Sequence, residues 1–536
     1  MRRRRRQYRA LRRVCTTKRV EHTALKEFEH TALPAQSENS ATIEAGPATP
    51  RRALFAGLLL VLLLAALDQT IVSTALPTIV VQLGGLEHIA WVVTAYVLAQ
   101  TIVTPLYGKL GDLYGRKRML QIAVVVFLVG SALCGISRDM LQLLLFRALQ
   151  GVGGGGLMVT AQAAVGDFVG PRERARYQGI FGAVFGLASI AGPLLGGFFT
   201  THLSWRWIFY INLPFGAAAL VVIGKFLPSR VARVRHAVDY AGASLLAIML
   251  GSLMLTVHMG GNAHPWTSPL ILGSAVTAVL AAVLLVIVER KAPEPVLPLH
   301  LFRNRVFAVT SAIALIIGFA MFGAITYLPV YLQMVGGRSP TASGLQLLPM
   351  MAGMLLTATL SGQRISRSGR YRRYPIAGTL LLSVGLYLLS HLGPSASPWT
   401  FSFDMVILGI GLGMVMQVLI VIVQNAVEYE DLGAATAAAV LFRSIGGSLG
   451  SAVLGALFSG TLVRLLGTSV TLPRAELASL QPGQRAAYAS AVSASIDFIF
   501  AVAAGIAVLS FILSWFVEER PLREIVGAAR LRAGSE

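Results

Sequence analysis

Two ionisable side chains stand far from any polar stretch. Asp68 lies in Leu67-Asp68-Gln69-Thr70-Ile71-Val72, and Arg147 lies in Leu143-x-x-x-Arg147-x-x-Gln150-Gly151. A charge inside an apolar span costs several kcal/mol unless it is paired or hydrated. Counted from Ala53, Asp68 is about fifteen residues in, roughly 22 Å along a helix. A span entering from the opposite side near Leu141 puts Arg147 roughly 9 Å deep. In a hydrocarbon layer ~30 Å thick the two reach similar depth and can share one polar pocket. Such a pair can do one of two things. A fixed pair locks two helices. A pair that opens and closes lets the carboxyl take a proton on one side and release it on the other, while the guanidinium keeps its charge.

A second polar cluster, Gly108-Lys109-Leu110-Gly111-Asp112-Leu113-Tyr114-Gly115-Arg116-Lys117-Arg118, separates the apolar runs 89–107 and 119–136. It is too short for a domain and reads as a tight turn at a membrane surface. Gly108 and Gly115 allow close backbone approach and positive φ. Asp112 can cap a helix start or pair with Arg116. Arg116, Lys117 and Arg118 form a cationic cluster suited to a cytoplasmic face. Farther on, Gly179, Ala188, Gly192-Pro193 and Gly196-Gly197 mark one apolar run. There the glycines permit close helix contact and the proline removes a backbone donor. Arg443 falls near mid-membrane, where a carboxylate, a helix C-terminus or an anion at the gate would meet it. Asp404 and Asp497 are secondary proton-site candidates near outer helix ends.

The elements that must position these residues follow from composition. Of 536 residues, 55% are hydrophobic and 13% charged, and the mean hydropathy is +0.69. A soluble chain carries about 25% charged residues. An all-α polytopic membrane protein is expected. Fourteen apolar runs fall near 53–75, 89–109, 119–137, 141–165, 177–200, 206–226, 239–258, 268–288, 306–333, 342–363, 374–392, 400–424, 434–462 and 493–517. The loops alternate in cations. One set carries clusters such as Arg172/Arg174/Arg176 and Arg364/Arg367/Arg370, and the other mostly single cations such as Arg138, Arg206 and Arg338. That alternation places both termini in the cytoplasm. Residues 1–52 read as a disordered basic tail, 53–226 as a six-helix bundle, 227–305 as a linker with two extra spans, 306–517 as a second six-helix bundle, and 518–536 as a short tail. The formal charge of +21 sits in loops and tails and argues for anionic lipid rather than nucleic acid. Only Cys15 and Cys134 are present, so neither a disulfide nor a cysteine metal site is expected.

The pattern from Gly108 to Arg118 resembles the signature loop of the major facilitator superfamily. Gly362, Ser366, Gly369, Arg370 and Arg372 repeat the offsets of Gly108, Asp112, Gly115, Arg116 and Arg118, with Ser in place of Asp. Six spans, two extra spans and six more resemble the fourteen-span, QacA/EmrB-like drug:proton antiporter family. The spacing of Gly179, Gly192, Pro193, Gly196 and Gly197 resembles the antiporter motif of its exporters, with Ala188 replacing one glycine. Trp205-Arg206-Trp207-Ile208-Phe209-Tyr210-Ile211-Asn212-Leu213-Pro214 is similar to the same group and is expected to serve as an aromatic interface belt. The resemblance implies a proton-coupling role for Asp68 and Arg147.

The leading expectation is proton-driven export of small hydrophobic or cationic compounds by alternating access, in a plasma-membrane monomer. Polar lining from Tyr96, Gln100, Gln162, Gln346, Gln417, Gln424 and Arg443 is expected in a central cavity. Export of an endogenous metabolite or lipid, a non-antiport transporter, and a non-transporting receptor are the alternatives. No cofactor, metal or catalytic residue is expected. The glycine run at Gly151–Gly156 lacks a following Gly-Lys-Ser/Thr. Gly446-x-Ser448-x-Gly450 matches a hydrolase elbow only formally, because it lies in an apolar helix.

Overall fold

The computed structural model describes residues 51–83, 89–228, 239–260, 264–293, 295–338, 340–393, 396–466 and 481–522. The tail expected over 1–52 lies outside these residues, except that Arg51 and Arg52 begin the first helix. The second tail is described only to residue 522.

The described residues are almost wholly helical, with no strand and one isolated bridge between Gly260 and His264. In chain order the long helices are α1 Arg51–Leu83, α2 Ile89–Tyr114, α3 Arg116–Ile136, α4 Met140–Phe168, α5 Pro171–His202 and α6 Asn212–Phe226. They continue with α7 Tyr240–Met259, α8 Pro269–Glu289, α9 Arg305–Val330, α10 Leu348–Ser368, α11 Arg373–Leu389, α12 Pro398–Ala426, α13 Leu432–Leu466 and α14 Pro482–Ser514. Among the described residues, twelve helices are long and apolar enough to cross a membrane.

Helix starts follow local chemistry. Asp139 accepts from Gln142 N at 2.8 Å to cap α4. Ser268 and Ser397 cap α8 and α12, each followed by a proline at the first helical position, where a missing N–H costs nothing. Several helices outrun their apolar stretches. α5 begins at Pro171 rather than near 177, and α14 at Pro482 rather than near 493. Polar first turns such as Arg172-Glu173-Arg174 extend a helix past the apolar layer without breaking it.

α5 packs against α10 and α12, α13 packs against α2 and α4, and α7 against α2 and α13. One apolar core gathers Leu58, Phe127, Leu157 and Ala219 and takes in Ala437 and Val440 of α13. Another gathers Phe319, Leu386, Leu408 and Phe500. α7 docks through Leu246 and Leu250 onto Ile102 and Leu106 of α2 and Leu441 of α13. The paired loop glycines both take positive φ, Gly115 at 91° and Gly369 at 70°. They differ in ψ, 136° at the start of α3 and 0° at the end of α10, so the repeat shares the need for glycine and not one turn conformation.

The aromatic-belt expectation is wrong. Trp205, Ile208 and Phe209 are fully buried in an apolar cluster with Ile71, Leu143 and Cys134. Trp205 Nε1 donates to Gln82 at 2.8 Å, and Arg206 lies over the Trp205 ring. Of the four aromatics, Trp207 is exposed at 48% and Tyr210 partly buried. Trp205 and Phe209 thus fill an internal core, where the Trp205 indole N–H has found a protein partner instead of interfacial water.

Candidate functional site: a buried acid–arginine knot and a clasp between helices

Asp68 and Arg147 meet. Arg147 Nη1 lies 2.7 Å from Asp68 Oδ2, and the two side chains are 1% and 0% exposed. The other carboxylate oxygen accepts from Gln150 Nε2 at 2.8 Å and from Asn212 Nδ2 at 3.2 Å. Ser131 Oγ accepts from both of these amides, at 3.0 and 2.9 Å, and donates to Phe209 O. Arg147 Nη1 also reaches Gln150 Oε1, and Arg147 Nε donates to Val92 O at 3.2 Å. The guanidinium carbon lies 4.3 Å from the centre of the Tyr96 ring. Elements α1, α2, α3, α4, the Trp207–Tyr210 turn and α6 thus close on one ion pair. A buried charge is tolerable when its lone pairs and protons are met in this way.

Glycines let these helices come close enough. A Cβ on Gly151 would strike Tyr96 O, one on Gly153 would strike the Phe127 backbone, and one on Gly154 the Tyr96 hydroxyl. The run Gly153–Gly156 is therefore a packing surface. Beside the knot, Gln69 Nε2 donates to Gln100 Oε1 at 3.0 Å, and both residues are partly exposed.

At the far end of α2 lies a second cluster. Asp112 pairs with Arg116, and Arg116 Nε donates to Asp167 Oδ2 at 2.9 Å. Asp112 also accepts from Gly433 N at 3.1 Å and Ala434 N at 2.9 Å. It therefore caps the start of α13, where free N–H groups and the helix dipole favour an anion. A Cβ on Gly108 would strike Gly433 O and Ala437, so only glycine lets α2 and α13 meet here. Of the remaining cations, Lys117 donates to Gly224 O at 2.7 Å. Arg118 is exposed and lies outside the cluster.

α5 carries the glycine–proline motif in two parts. A Cβ on Gly192 or Gly196 would strike Thr70 or Thr74 of α1, and Thr70 Oγ1 donates to Ala188 O at 2.9 Å. Gly179 meets α10 at Ala358 O, while a Cβ on Gly197 would meet nothing within 4 Å. Along α5 the gap to α10 widens. A Cβ on Gly182 would lie 3.0 Å from Ala358, and one on Gly186 3.7 Å from Leu355. Together with the Asp112 clasp, this leaves helices tight at the Asp112 end and diverging away from it.

The expected cavity residues divide. Tyr96 is buried in the knot and Gln100 joins Gln69. Gln424 Nε2 donates to Gln162 O at 3.3 Å and to Thr436 Oγ1 at 3.2 Å, and Gln178 Nε2 reaches the same Gln162 carbonyl. Gln417 is buried beside Gly182. Gln346 ends the short helix Pro340–Gln346 and makes no hydrogen bond to the others. Of the three partners expected for Arg443, a carboxylate is not found among the described residues, and Nη2 lies 3.9 Å from Met158 Sδ. Asp404 is 4% exposed, and Asp497 Oδ1 is buried without a partner.

Sequence reasoning missed Gln150, Asn212, Ser131 and Asp167. Asp167 carried a signal, being an acid at the end of an apolar run opposite a cationic loop. The neutral residues carried none beyond a polar side chain in a span.

A profile of the Major Facilitator Superfamily matches residues 58–451. An uncharacterized MFS-type transporter of Mycobacterium tuberculosis is 42% identical over 484 residues, spanning 89% of this chain and 70% of its own length. Multidrug transporter protein MdtP of Bacillus subtilis is 39% identical over 452 residues, spanning 84% of this chain and 83% of its own. Among solved structures, a double tryptophan mutant of XylE superposes with a TM-score of 0.63 at 14% identity, covering 90% of this chain and 98% of that one.

Proposed function

Because this chain belongs to the major facilitator superfamily, a family of multi-pass membrane transporters and not of enzymes, we propose that it exports small hydrophobic compounds in exchange for protons. The observation that carries this reading is the sealed Asp68–Arg147 pair. A carboxylate holding three donors at that depth serves structure alone unless something opens it. Protonation removes the attraction that holds Arg147 and frees both side chains to rearrange. The partly exposed Gln69–Gln100 pair gives protons and water a polar approach. Export rather than import is favoured by α5, whose Gly192 and Gly196 press against α1 two residues or more beyond Asp68. The relative described as a multidrug transporter supports the substrate class.

We count fourteen spans by adding α2 and α11 to the twelve apolar helices. α2 is packed on α4, and α11 lies between α12 and α14, as spans of equal standing would be. In this reading 53–226 rocks against 306–517 around Gln162, Gln417 and Gln424, with α7 and α8 inserted between them. The clasp at Asp112 is the closed cytoplasmic gate, both termini are cytoplasmic, and the protein works as a monomer in the plasma membrane. A lipid or metabolite made by the same cell could use the same framework.

The test uses purified protein in liposomes of known orientation, with an imposed pH gradient and a panel of hydrophobic compounds. Gradient-dependent export is expected, together with proton release when substrate is added to the detergent-solubilised protein. Asp68→Asn should bind substrate, fail to concentrate it and release no proton. Inward accumulation by the wild type, or normal export by Asp68→Asn, would overturn the reading.

A further inference from the structure

Arg443 is a deep cation that the cycle above does not use. It lies ten residues beyond Gly433, roughly 15 Å along α13, well inside the apolar layer. A Cβ on Gly318 would strike the Arg443 carbonyl, so α9 holds the backbone on one side. On the other side the guanidinium crosses to α4 and meets the sulfur of Met158 at 3.9 Å. Met158 is 7% exposed, so Arg443 is aimed into the seam between α4 and α13 and not at lipid. A thioether is a weak acceptor for a group with five N–H donors. Among the described residues no carboxylate pairs with Arg443, whereas Arg147 holds Asp68 and Arg116 holds two acids. Its neighbours along α13, Phe442 and Ile445, pack into apolar clusters. Four residues from Met158, at Gln162, the same seam becomes polar.

An unpaired charge at this depth costs several kcal/mol, and the chain leaves part of the side chain open. Among the described residues nothing supplies an anion for Arg443, and one from outside the chain would. A guanidinium fork suits a carboxylate bidentately, and the polarizable Met158 with apolar α13 neighbours suits a hydrophobic body. We propose that Arg443 anchors the acid group of a hydrophobic anion in the α4–α13 seam, so that lipophilic carboxylic acids are the transported class. This rests on the export reading and narrows its substrates.

Equilibrium binding without any gradient tests this apart from proton coupling. The probe is tritiated 1-naphthaleneacetate, bound to the full chain in phosphatidylcholine nanodiscs. Unlabelled 1-naphthaleneacetate should compete, and 1-naphthaleneacetamide and 1-naphthalenemethylamine should compete far less. Arg443→Gln should weaken acid binding by at least about tenfold, as expected when a buried charge partner is truncated, and Arg443→Lys, which keeps the charge but not the fork, should lose less than Arg443→Gln. Ligand-free Arg443→Gln should be no less heat-stable than the wild type, since it removes an uncompensated charge; a structural role would lower its stability. Loss of acid binding on adding phosphatidylglycerol would make a lipid phosphate the occupant and overturn the carboxylic-acid assignment, whereas unchanged binding supports a free acid. Absence of acid binding by the wild type, preference for the amine, or unchanged acid binding in Arg443→Gln would overturn the proposal.

Discussion

Asp68 and Asp112 each accept three hydrogen bonds, and each holds an arginine. They differ in where the donors come from. All three partners of Asp68 lie within residues 147–212, so the knot closes inside one group of helices. Two of the three partners of Asp112 are backbone amides of α13, more than three hundred residues away in sequence. The same carboxylate chemistry therefore ties one helix group together at Asp68 and ties distant parts of the chain to each other at Asp112. Two helices run between them. α2 supplies Val92 O to the knot and Asp112 to the clasp, and α4 supplies Arg147 to the knot and Asp167 to the clasp. The knot and the clasp are therefore joined through two continuous helices, one of which carries Pro105 between its two contacts.

Breaking the knot should have the largest effect. Arg147→Met leaves Asp68 buried without its counter-ion, and loss of one member of a buried pair costs about 3–5 kcal/mol. Unfolding in detergent should show a large loss of stability. Asp68→Leu combined with Arg147→Met should recover most of it, because no charge is stranded. That double variant should still not export against a gradient. Export by a stable double variant would reduce the knot to a lock between helices.

The contrast also shows how much the sequence reveals. Asp68 and Arg147 were legible because charge in an apolar run is costly, and counting 1.5 Å per residue from each end brings them to one depth. Gln150, Asn212 and Ser131 were not, since a neutral polar residue in a span is cheap enough to occur for many reasons. The capping role of Asp112 was legible, but not its helix. The loop suggested a nearby start, and the donors belong to α13, a pairing that only tertiary packing creates. Trp205 was misread because an aromatic beside a loop has the same pattern whether it faces lipid or fills a core. The all-helical class was plain in hydropathy, while the number of spans was not, since twelve helices among the described residues are long and apolar enough against fourteen expected. Helix ends were not plain either, because polar first turns such as that of α5 stay helical past the apolar stretch.

Loosening the clasp should have an intermediate effect. Asp112→Asn keeps one acceptor oxygen but removes the charge that holds two amides of α13 and Arg116, and hydrogen bonds to a charged group contribute about 1.5–3 kcal/mol. A two-state gate would shift by roughly tenfold or more toward opening at that end. Tyr114 and Glu428 are exposed on the two sides of the clasp. Spin labels there, with Cys15 and Cys134 replaced, should report a longer distance population in Asp112→Asn than in the wild type. An unchanged distance distribution would mean that packing at Gly108 and Ala437, and not charge, holds this end shut.

The smallest effects separate two glycines of one motif. A Cβ on Gly192 would collide with Thr70, next to the knot, whereas one on Gly197 would meet nothing within 4 Å. Gly192→Ala must push α5 from α1 or turn the Thr70 side chain, whose hydroxyl donates to Ala188 O; overpacking of this kind costs about 1–3 kcal/mol. Gly197→Ala adds only a methyl to a helix and gains up to about 1 kcal/mol of helix propensity. Initial export rates should fall at least about fivefold for the first and stay near wild type for the second, with heat stability following the same order. Thr70→Ala in the Gly192→Ala background removes the colliding hydroxyl and should restore part of the lost rate. If Gly197→Ala is the more damaging change, or if Thr70→Ala rescues nothing, the α5 motif acts through something other than its contact with α1, and the link from that motif to the Asp68 knot is lost.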